Sequence, residues 1–142
     1  QAGDIQVMSA GSGVRHSEFN DEDETTSLYQ IWIKPNKLNV QPRWDAKEFP
    51  KNYVDDHLDL LVGNDENAPL FIHADATIHA GKVHANKTLT HRIERSGYLL
   101  ASSGSFSVNG VKLSKGDALE IIDIKDLEIN STEDSELLVI DV

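Results

Sequence analysis

The sequence has 142 residues, with 24 acidic and 13 basic side chains, six histidines and no cysteine, and its formal net charge is −11. This charge argues against a nucleic-acid binder or a protein that docks on anionic membranes, because Lys and Arg are not in excess. The missing cysteines exclude disulfides and thiolate chemistry and fit a reducing compartment, so we expect a cytoplasmic protein.

Short strands separated by polar turns are predicted along the whole chain, and few windows show helical periodicity. The strongest candidate is 27–33 (SLYQIWI), which is apolar on both faces and is therefore predicted to be a central strand with Trp32 in the core. This pattern is typical of a β-sandwich or barrel. The other predicted strands are 5–8, 58–62, 70–72, 77–83, 89–93, 97–102, 106–108, 111–113, 118–122, 127–129 and 136–140.

One β-hairpin is predicted in register. The Asn109-Gly110 pair favours a type I′ turn, in which both central residues need φ > 0. A two-residue loop pairs Val108 with Val111 and Phe106 with Leu113, and it places all four side chains on one face, which we expect to be core.

Residues 37–52 are predicted to form a linker. The segment contains two prolines and a cluster of charges, and its isolated aromatic residues Trp44 and Phe49 are expected to anchor it to the folded parts. The acidic run at 21–24 is expected to be an exposed loop tip.

An internal repeat is suggested by Gly3-Asp4, which precedes a predicted strand just as Gly116-Asp117 does 113 positions later. The repeat would make the first 35 or so residues the tail of one domain and the remainder a second copy. Under this shift His16 falls on Ile129 and Glu18 on Ser131.

The segment 10–20 (AGSGVRHSEFN) carries a candidate metal-binding pair. Its glycines allow a tight turn entering a strand, and on a strand His16 and Glu18, two positions apart, project to the same face. An imidazole and a carboxylate aimed at one point suit a divalent metal, although further ligands must come from elsewhere. The alternative is that both are ordinary polar residues on a solvated strand face.

The stretch GDIQVMSAGSGVRHSEFN, followed by LYQIWIKP and QPRW, resembles the bacterial, quercetinase-like branch of the pirin family. Its members are bicupins, and the resemblance implies an all-β fold of cupin barrels (double-stranded β-helix, or jelly roll). Residues 1–36 would be closing strands of the N-terminal cupin, 37–52 the linker, and 53–142 a metal-free C-terminal cupin domain. In the family the first barrel binds its metal through an HxH pair and a later His and Glu, which match His16 and Glu18. We therefore expect the chain to be the C-terminal portion of a protein whose HxH pair lies upstream of Gln1.

The resemblance implies a metal-dependent flavonol (quercetin) 2,3-dioxygenase that uses O2. His16 would be a metal ligand, and Glu18 both a ligand and the catalytic base. The cofactor would be a divalent transition metal, with iron first and Ni, Mn, Co, Cu or Zn as alternatives. The chain alone would be inactive, with its metal site empty or incomplete, because the HxH pair is missing.

Two other functions remain open. The intact protein could be a metal- or redox-sensing binding module that regulates a protein partner, either a transcription factor or a metabolic enzyme. Residues 53–142 could also serve only to shield the active barrel. Sheet edges left without partners would invite oligomerisation of the chain.

The remaining histidines have several possible roles. His73, His79 and His84 lie in or beside one predicted strand pair, and His73 could face His79 across a turn. These residues are either ordinary strand histidines or part of a second metal site or a proton-transfer site. His91 and Glu94 lie where a cupin places its first ligand motif, but the companion ligands are absent. We therefore expect Glu94 to form a surface ion pair with a neighbouring arginine, Arg92 or Arg95.

Overall fold

A computed structural model describes residues 4–142, in which all regular secondary structure is β-strand. No helix in this part of the chain is long and apolar enough to cross a membrane. The strands are β1 Asp4–Ser9, β2 Arg43–Glu48, β3 Asp59–Gly63, β4 Leu70–Phe71, β5 Thr77–Val83, β6 Thr88–Arg92, β7 Gly97–Ser103, β8 Ser105–Val108, β9 Val111–Ser114, β10 Ala118–Ile121, β11 Asp126–Ser131 and β12 Ser135–Asp141. The predicted all-β fold class is confirmed.

The strands form two main sheets. A six-stranded sheet has the order β10-β7-β12-β5-β3-β4, and a four-stranded sheet has the order β6-β11-β8-β9. All neighbouring pairs are antiparallel except β3 and β4. From β5 onward the chain crosses repeatedly between the two sheets, as it does from β5 to β6 and from β6 to β7, so the two layers together enclose one barrel.

The main core lies between the two sheets. Alternate side chains of each strand point inward, as Leu127 and Ile129 do in β11, and both are fully buried. Phe106 is the largest of the fully buried side chains. Burying an apolar side chain of this size stabilises the fold by about 1.5–3 kcal/mol.

The six-stranded sheet is apolar on its outer face as well. Val7 of β1 packs there with buried side chains of β3, β4, β5 and β12, and Ile33 and Phe49 pack at the margin. Strands β1 and β2 form their own antiparallel pair, from Asp4 opposite Glu48 to Ser9 opposite Arg43. Burial on both faces explains why 136–140 reads as a nearly continuous apolar run.

The predicted hairpin is confirmed in its register. Phe106 pairs with Leu113 and Val108 with Val111, while Asn109 and Gly110 have φ of 48° and 84°. Three of the four side chains are buried, but Val111 is 50% exposed, so its predicted core position is wrong. It is the first residue of the edge strand β9 and lies beside the turn.

The strand predicted at 27–33 is not formed. Trp32 is 89% exposed and Leu28 62% exposed, so the predicted core position of Trp32 is also wrong. A strand needs a neighbour for its backbone hydrogen bonds, and an apolar strand needs cover on both faces. Among residues 4–142 no strand pairs with this segment.

Part of the predicted linker is ordered as a strand, because β2 lies within 37–52. Phe49 is partly buried against the outer cluster, as an anchor would be, whereas Trp44 is 69% exposed. A contact that the sequence did not indicate is made by Arg43, whose guanidinium lies 5.4 Å from the Phe71 ring centroid and donates to the Phe71 carbonyl. The acidic run at 21–24 is exposed, as predicted.

The internal repeat can be followed only in part, since Gly3 lies outside the described residues. Strand β1 begins at Asp4. Gly116, with φ of 90°, forms a turn before β10, and Asp117 donates its N–H to the Ser114 carbonyl. A strand thus begins at the Asp of the first Gly-Asp pair and directly after the Asp of the second.

Candidate metal centre

A tight turn precedes the candidate ligands, as their glycines predict. The Gly13 N–H donates to the Ala10 carbonyl at 2.8 Å, and Gly11 has φ of 55°. A Cβ at Gly11 would lie only 1.9 Å from the Val40 carbonyl oxygen, so this position requires glycine for space as well as for conformation. The turn sets the direction of the chain that leads to His16.

His16 and Glu18 lie side by side, with Nε2 of His16 4.0 Å from Oε1 of Glu18. Their side chains are 39% and 50% exposed, so both are open to a ligand from solvent. The strand predicted to carry them is not formed, because residues 10–42 contain no strand. The pairing therefore comes from the short separation along an irregular segment and not from the alternation of a sheet.

The donor set of this pair fits a borderline divalent metal, since imidazole nitrogen and carboxylate oxygen are both common ligands of such ions. The pair is incomplete by itself. Within the described part of the chain, no group of three or more His, Cys, Asp or Glu side chains is arranged to hold a metal ion. A complete site would need further ligands.

The positions that the repeat aligns with this pair carry no ligands. Ile129 is fully buried and Ser131 is 4% exposed, both in β11. The Ser131 hydroxyl donates to the Glu133 carbonyl at 2.7 Å. An isoleucine side chain cannot bind a metal, and the serine hydroxyl is already engaged in holding the following turn.

Two of the remaining histidines have partners that explain them without a metal. His73 packs edge-on against Phe71 at 4.8 Å. His84 stacks on Tyr53 at 4.0 Å, and its Nδ1 lies 3.1 Å from Asp55. Hydrogen bonds from the His84 backbone and ring hold the pKa of Asp55 below its usual value.

The structure brings together two histidines, His79 and His91, whose contact was not predicted from the sequence. The rings of His79 and His91 are in contact inside the barrel, with their centroids 4.7 Å apart. A signal was present in the sequence, because His91 lies two positions from each of the apolar residues Leu89 and Ile93 and so shares their face of the strand. Glu94 forms the predicted surface ion pair with Arg92, at 3.2 Å from Nε to Oε1.

An open groove of ≈ 850 Å³ lies where residues 29–36 cross the outer face of the six-stranded sheet. Tyr29 and Trp32 line one side, and Tyr98, Leu100 and Leu138 line the other. This groove could not be predicted from the sequence, since it depends on how an irregular segment lies over a sheet.

Comparisons with known proteins agree with this architecture. A family model described as the quercetinase C-terminal cupin domain matches residues 60–142, and one described as pirin matches residues 1–33. A pirin-like protein of Caulobacter vibrioides is 41% identical over 99% of this chain and 62% of its own length. The quercetin 2,3-dioxygenase of Escherichia coli K12 is 34% identical, with 99% and 62% covered.

Solved structures show the same similarity. The crystal structure of YhhW from Escherichia coli superposes with a TM-score of 0.87 at 34% identity, covering 99% of this chain and 61% of that one. A structure of the bacterial pirin YhhW in complex with nickel(II) superposes with a TM-score of 0.86 at 32% identity, covering 99% and 62%. The chain thus spans a little over three fifths of the length of these relatives. Because the C-terminal cupin model alone matches more than half of the sequence, this chain belongs to the pirin family.

Proposed function

We propose that the protein is a metal-dependent flavonol 2,3-dioxygenase that opens quercetin-like substrates with O2, and that His16 and Glu18 supply part of its metal site. The observation that carries the proposal is the contact between the two side chains, 4.0 Å apart, immediately after a glycine-dependent turn. A relative bears the name quercetin 2,3-dioxygenase, and YhhW has been crystallised with nickel(II). These two findings support a divalent metal, and we keep iron as the first choice, with nickel next.

Each residue has a distinct role in this proposal. A divalent metal at the site would act as a Lewis acid that orients the flavonol hydroxyl. His16 would hold the ion through Nε2. Glu18 would take the proton of the flavonol hydroxyl through a carboxylate oxygen, and its half-exposed side chain would pass that proton to solvent. The dioxygenase products would then form from the deprotonated flavonol and O2.

In the proposed domain organisation, the remaining metal ligands come from the N-terminal domain. Residues 1–36 would close an N-terminal cupin that contributes an HxH pair, 37–52 would be the linker, and 53–142 would be a metal-free C-terminal cupin. The large apolar side chains exposed in the irregular segment support this arrangement, because Phe19 (82%) and Trp32 (89%) would be covered by the other barrel. The 142-residue chain by itself would then be inactive.

The test is quercetin-dependent oxygen uptake, together with metal analysis, for the protein that contains this chain and the expected HxH pair. Glu18→Gln should lower kcat by about 100-fold or more, because a general base contributes roughly 10²–10⁴-fold. His16→Ala should lower the bound metal. His57→Gln is the matched control, since that ring is engaged by Asp56 and Asp59. Full activity in Glu18→Gln, or no oxygen uptake in the parent, would refute the proposal.

A second candidate is a metal- or redox-sensing module that binds a protein partner, either a transcription factor or a metabolic enzyme. The net charge of −11 favours a protein partner over nucleic acid. A stoichiometric partner recovered from cell extract by a catalytically silent protein would support this role. A protein that turns over quercetin and retains no partner would contradict it.

A further inference from the structure

Two histidine side chains, one from each main sheet, are in contact inside the barrel. His79 belongs to β5 of the six-stranded sheet and His91 to β6 of the four-stranded sheet. Their ring centroids are 4.7 Å apart and the ring planes meet at 60°. The contact therefore spans the interior and links one layer to the other.

The surroundings of His91 are apolar, and His79 is partly buried. His91 is only 9% exposed, and along its strand it lies between the buried side chains of Leu89 and Ile93. The paired residue on β11, Leu127, is fully buried. Nε2 of His91 and Nδ1 of His79 are both buried without a hydrogen-bond partner. A proton added at either of these two nitrogens would thus place a charge at a buried atom that has no hydrogen-bond acceptor.

One carboxylate acts on both rings, and it is already engaged. Asp141, at the end of β12 and 5% exposed, accepts hydrogen bonds from the backbone N–H groups of Glu94 at 2.7 Å and Arg95 at 2.9 Å. Nη1 of Arg95 lies 3.7 Å from the same carboxylate. Asp141 can therefore turn towards a protonated histidine only by releasing the turn at 94–96.

The other charged groups on the neighbouring strands face away from the pair. Asp59 of β3 pairs with Ala80 and so lies on the opposite face from His79. Lys82 of β5 and Glu136 of β12 form an ion pair with each other. The charged side chains of β6 and β11 are exposed on the outside of the four-stranded sheet, and they are Arg92, Asp126 and Glu128.

We propose that the His79–His91 pair is an acid-sensitive lock of the barrel, in which uptake of one proton separates the two rings and draws Asp141 away from the turn at 94–96. The turn would respond first, because Asp141 supplies two of its hydrogen bonds. Other contacts of the turn would stay in place, among them the Lys125 ammonium on the carbonyls of Glu94 and Arg95, the surface ion pair of Glu94 with Arg92, and the mutual backbone hydrogen bonds of Ser96 and Val142.

The electrostatics support the direction of this response. Burial, helped by the adjacent His79, lowers the pKa of His91 from 6.5 to about 4, and burial also lowers the pKa of His79. The unfolded chain therefore binds a proton at His91 near pH 6.5, whereas the folded chain binds it only near pH 4. Stability from this group is fully present above pH 6.5 and is lost as the pH falls from there towards 4.

The test compares urea unfolding at pH 7.5 and pH 5.0, a range that leaves most surface carboxylates ionised. For the parent chain we expect the unfolding equilibrium constant to rise by about 30-fold on going to pH 5.0, from the shift of His91 alone. The double variant His79→Phe/His91→Phe should lose this rise. His73→Phe is the control that should keep it, since that histidine packs against Phe71 and away from the lock.

Nuclear magnetic resonance of the unmodified chain gives a second, independent readout that needs no variant to fold. The ring nitrogens of His91 should titrate below pH 5. The amide protons of Glu94 and Arg95 should lose protection from exchange in step with that titration. A His91 ring that titrates near pH 6.5, an unchanged pH dependence in the double variant, or amides at 94 and 95 that stay protected would each overturn the proposal.

Discussion

Replacement of Asp141 by Ala is expected to be the most damaging single change at a charged residue of the barrel. The carboxylate is 5% exposed and accepts the backbone N–H groups of Glu94 and Arg95 at 2.7 and 2.9 Å. A hydrogen bond to a charged group contributes about 1.5–3 kcal/mol. The contact with the half-exposed Arg95 guanidinium, at 3.7 Å, adds little. We therefore expect a loss of about 3–5 kcal/mol in the free energy of unfolding.

The assay is urea denaturation at pH 7.5, followed by far-ultraviolet circular dichroism, since both tryptophans are exposed and report poorly on the core. Asp126→Ala is the matched control, because that carboxylate is 64% exposed and pairs with the exposed Arg92. It should change stability by less than about 0.5 kcal/mol. Asp141→Asn keeps one acceptor oxygen and should fall between the two. The role of Asp141 in holding the turn would be refuted if Asp141→Ala lowered the free energy of unfolding by less than about 1 kcal/mol and by no more than the control Asp126→Ala does.

Three further outcomes follow from burial and backbone geometry. Phe106→Ala should lower the free energy of unfolding by about 3–5 kcal/mol in urea melts, whereas Val111→Ala, at a half-exposed site on the same hairpin face, should lose less than about 1 kcal/mol. Gly104→Ala should be clearly more destabilising by thermal melting than Gly110→Ala. Both have positive φ, but only at Gly104 would the new Cβ lie 2.4 Å from a backbone oxygen. Trp32→Ala should change the stability of this chain by less than about 0.5 kcal/mol, because the side chain is 89% exposed, and a larger loss would mean that the segment is packed.

The hairpin shows which features could be predicted from the sequence. The Asn109-Gly110 turn and the alternation of its flanking strands agree on one register, and the structure has that register. The turn chemistry and the period of two are local, so they do not depend on the rest of the chain. The candidate ligands His16 and Glu18 were also found locally, because two residues that close in sequence cannot be far apart in space.

The segment 27–33 shows where a local sequence pattern does not predict the secondary structure. Its composition is that of a central strand, yet a strand exists only where another strand accepts its hydrogen bonds, and none does among residues 4–142. The groove formed between this segment and the outer face of the sheet was missed for the same reason. Its lining comes from residues about 70 to 110 positions apart in the sequence, such as Tyr29 with Tyr98 and Leu138.

The amino-acid sequence by itself determined that this acidic, cysteine-free chain is an all-β member of the pirin family, where most of its strands after residue 57 lie, and which two neighbouring side chains are candidates to offer a metal an imidazole and a carboxylate. Only the tertiary structure decided which predicted strands pair with a neighbouring strand. It also decided that the ring of His79 contacts that of His91 inside the barrel, and that Asp141 accepts a hydrogen bond from the turn that follows His91. The physical reason is distance along the chain. Turn type and alternation follow from adjacent residues, whereas contacts between two sheets depend on how distant strands are ordered and on which faces remain covered.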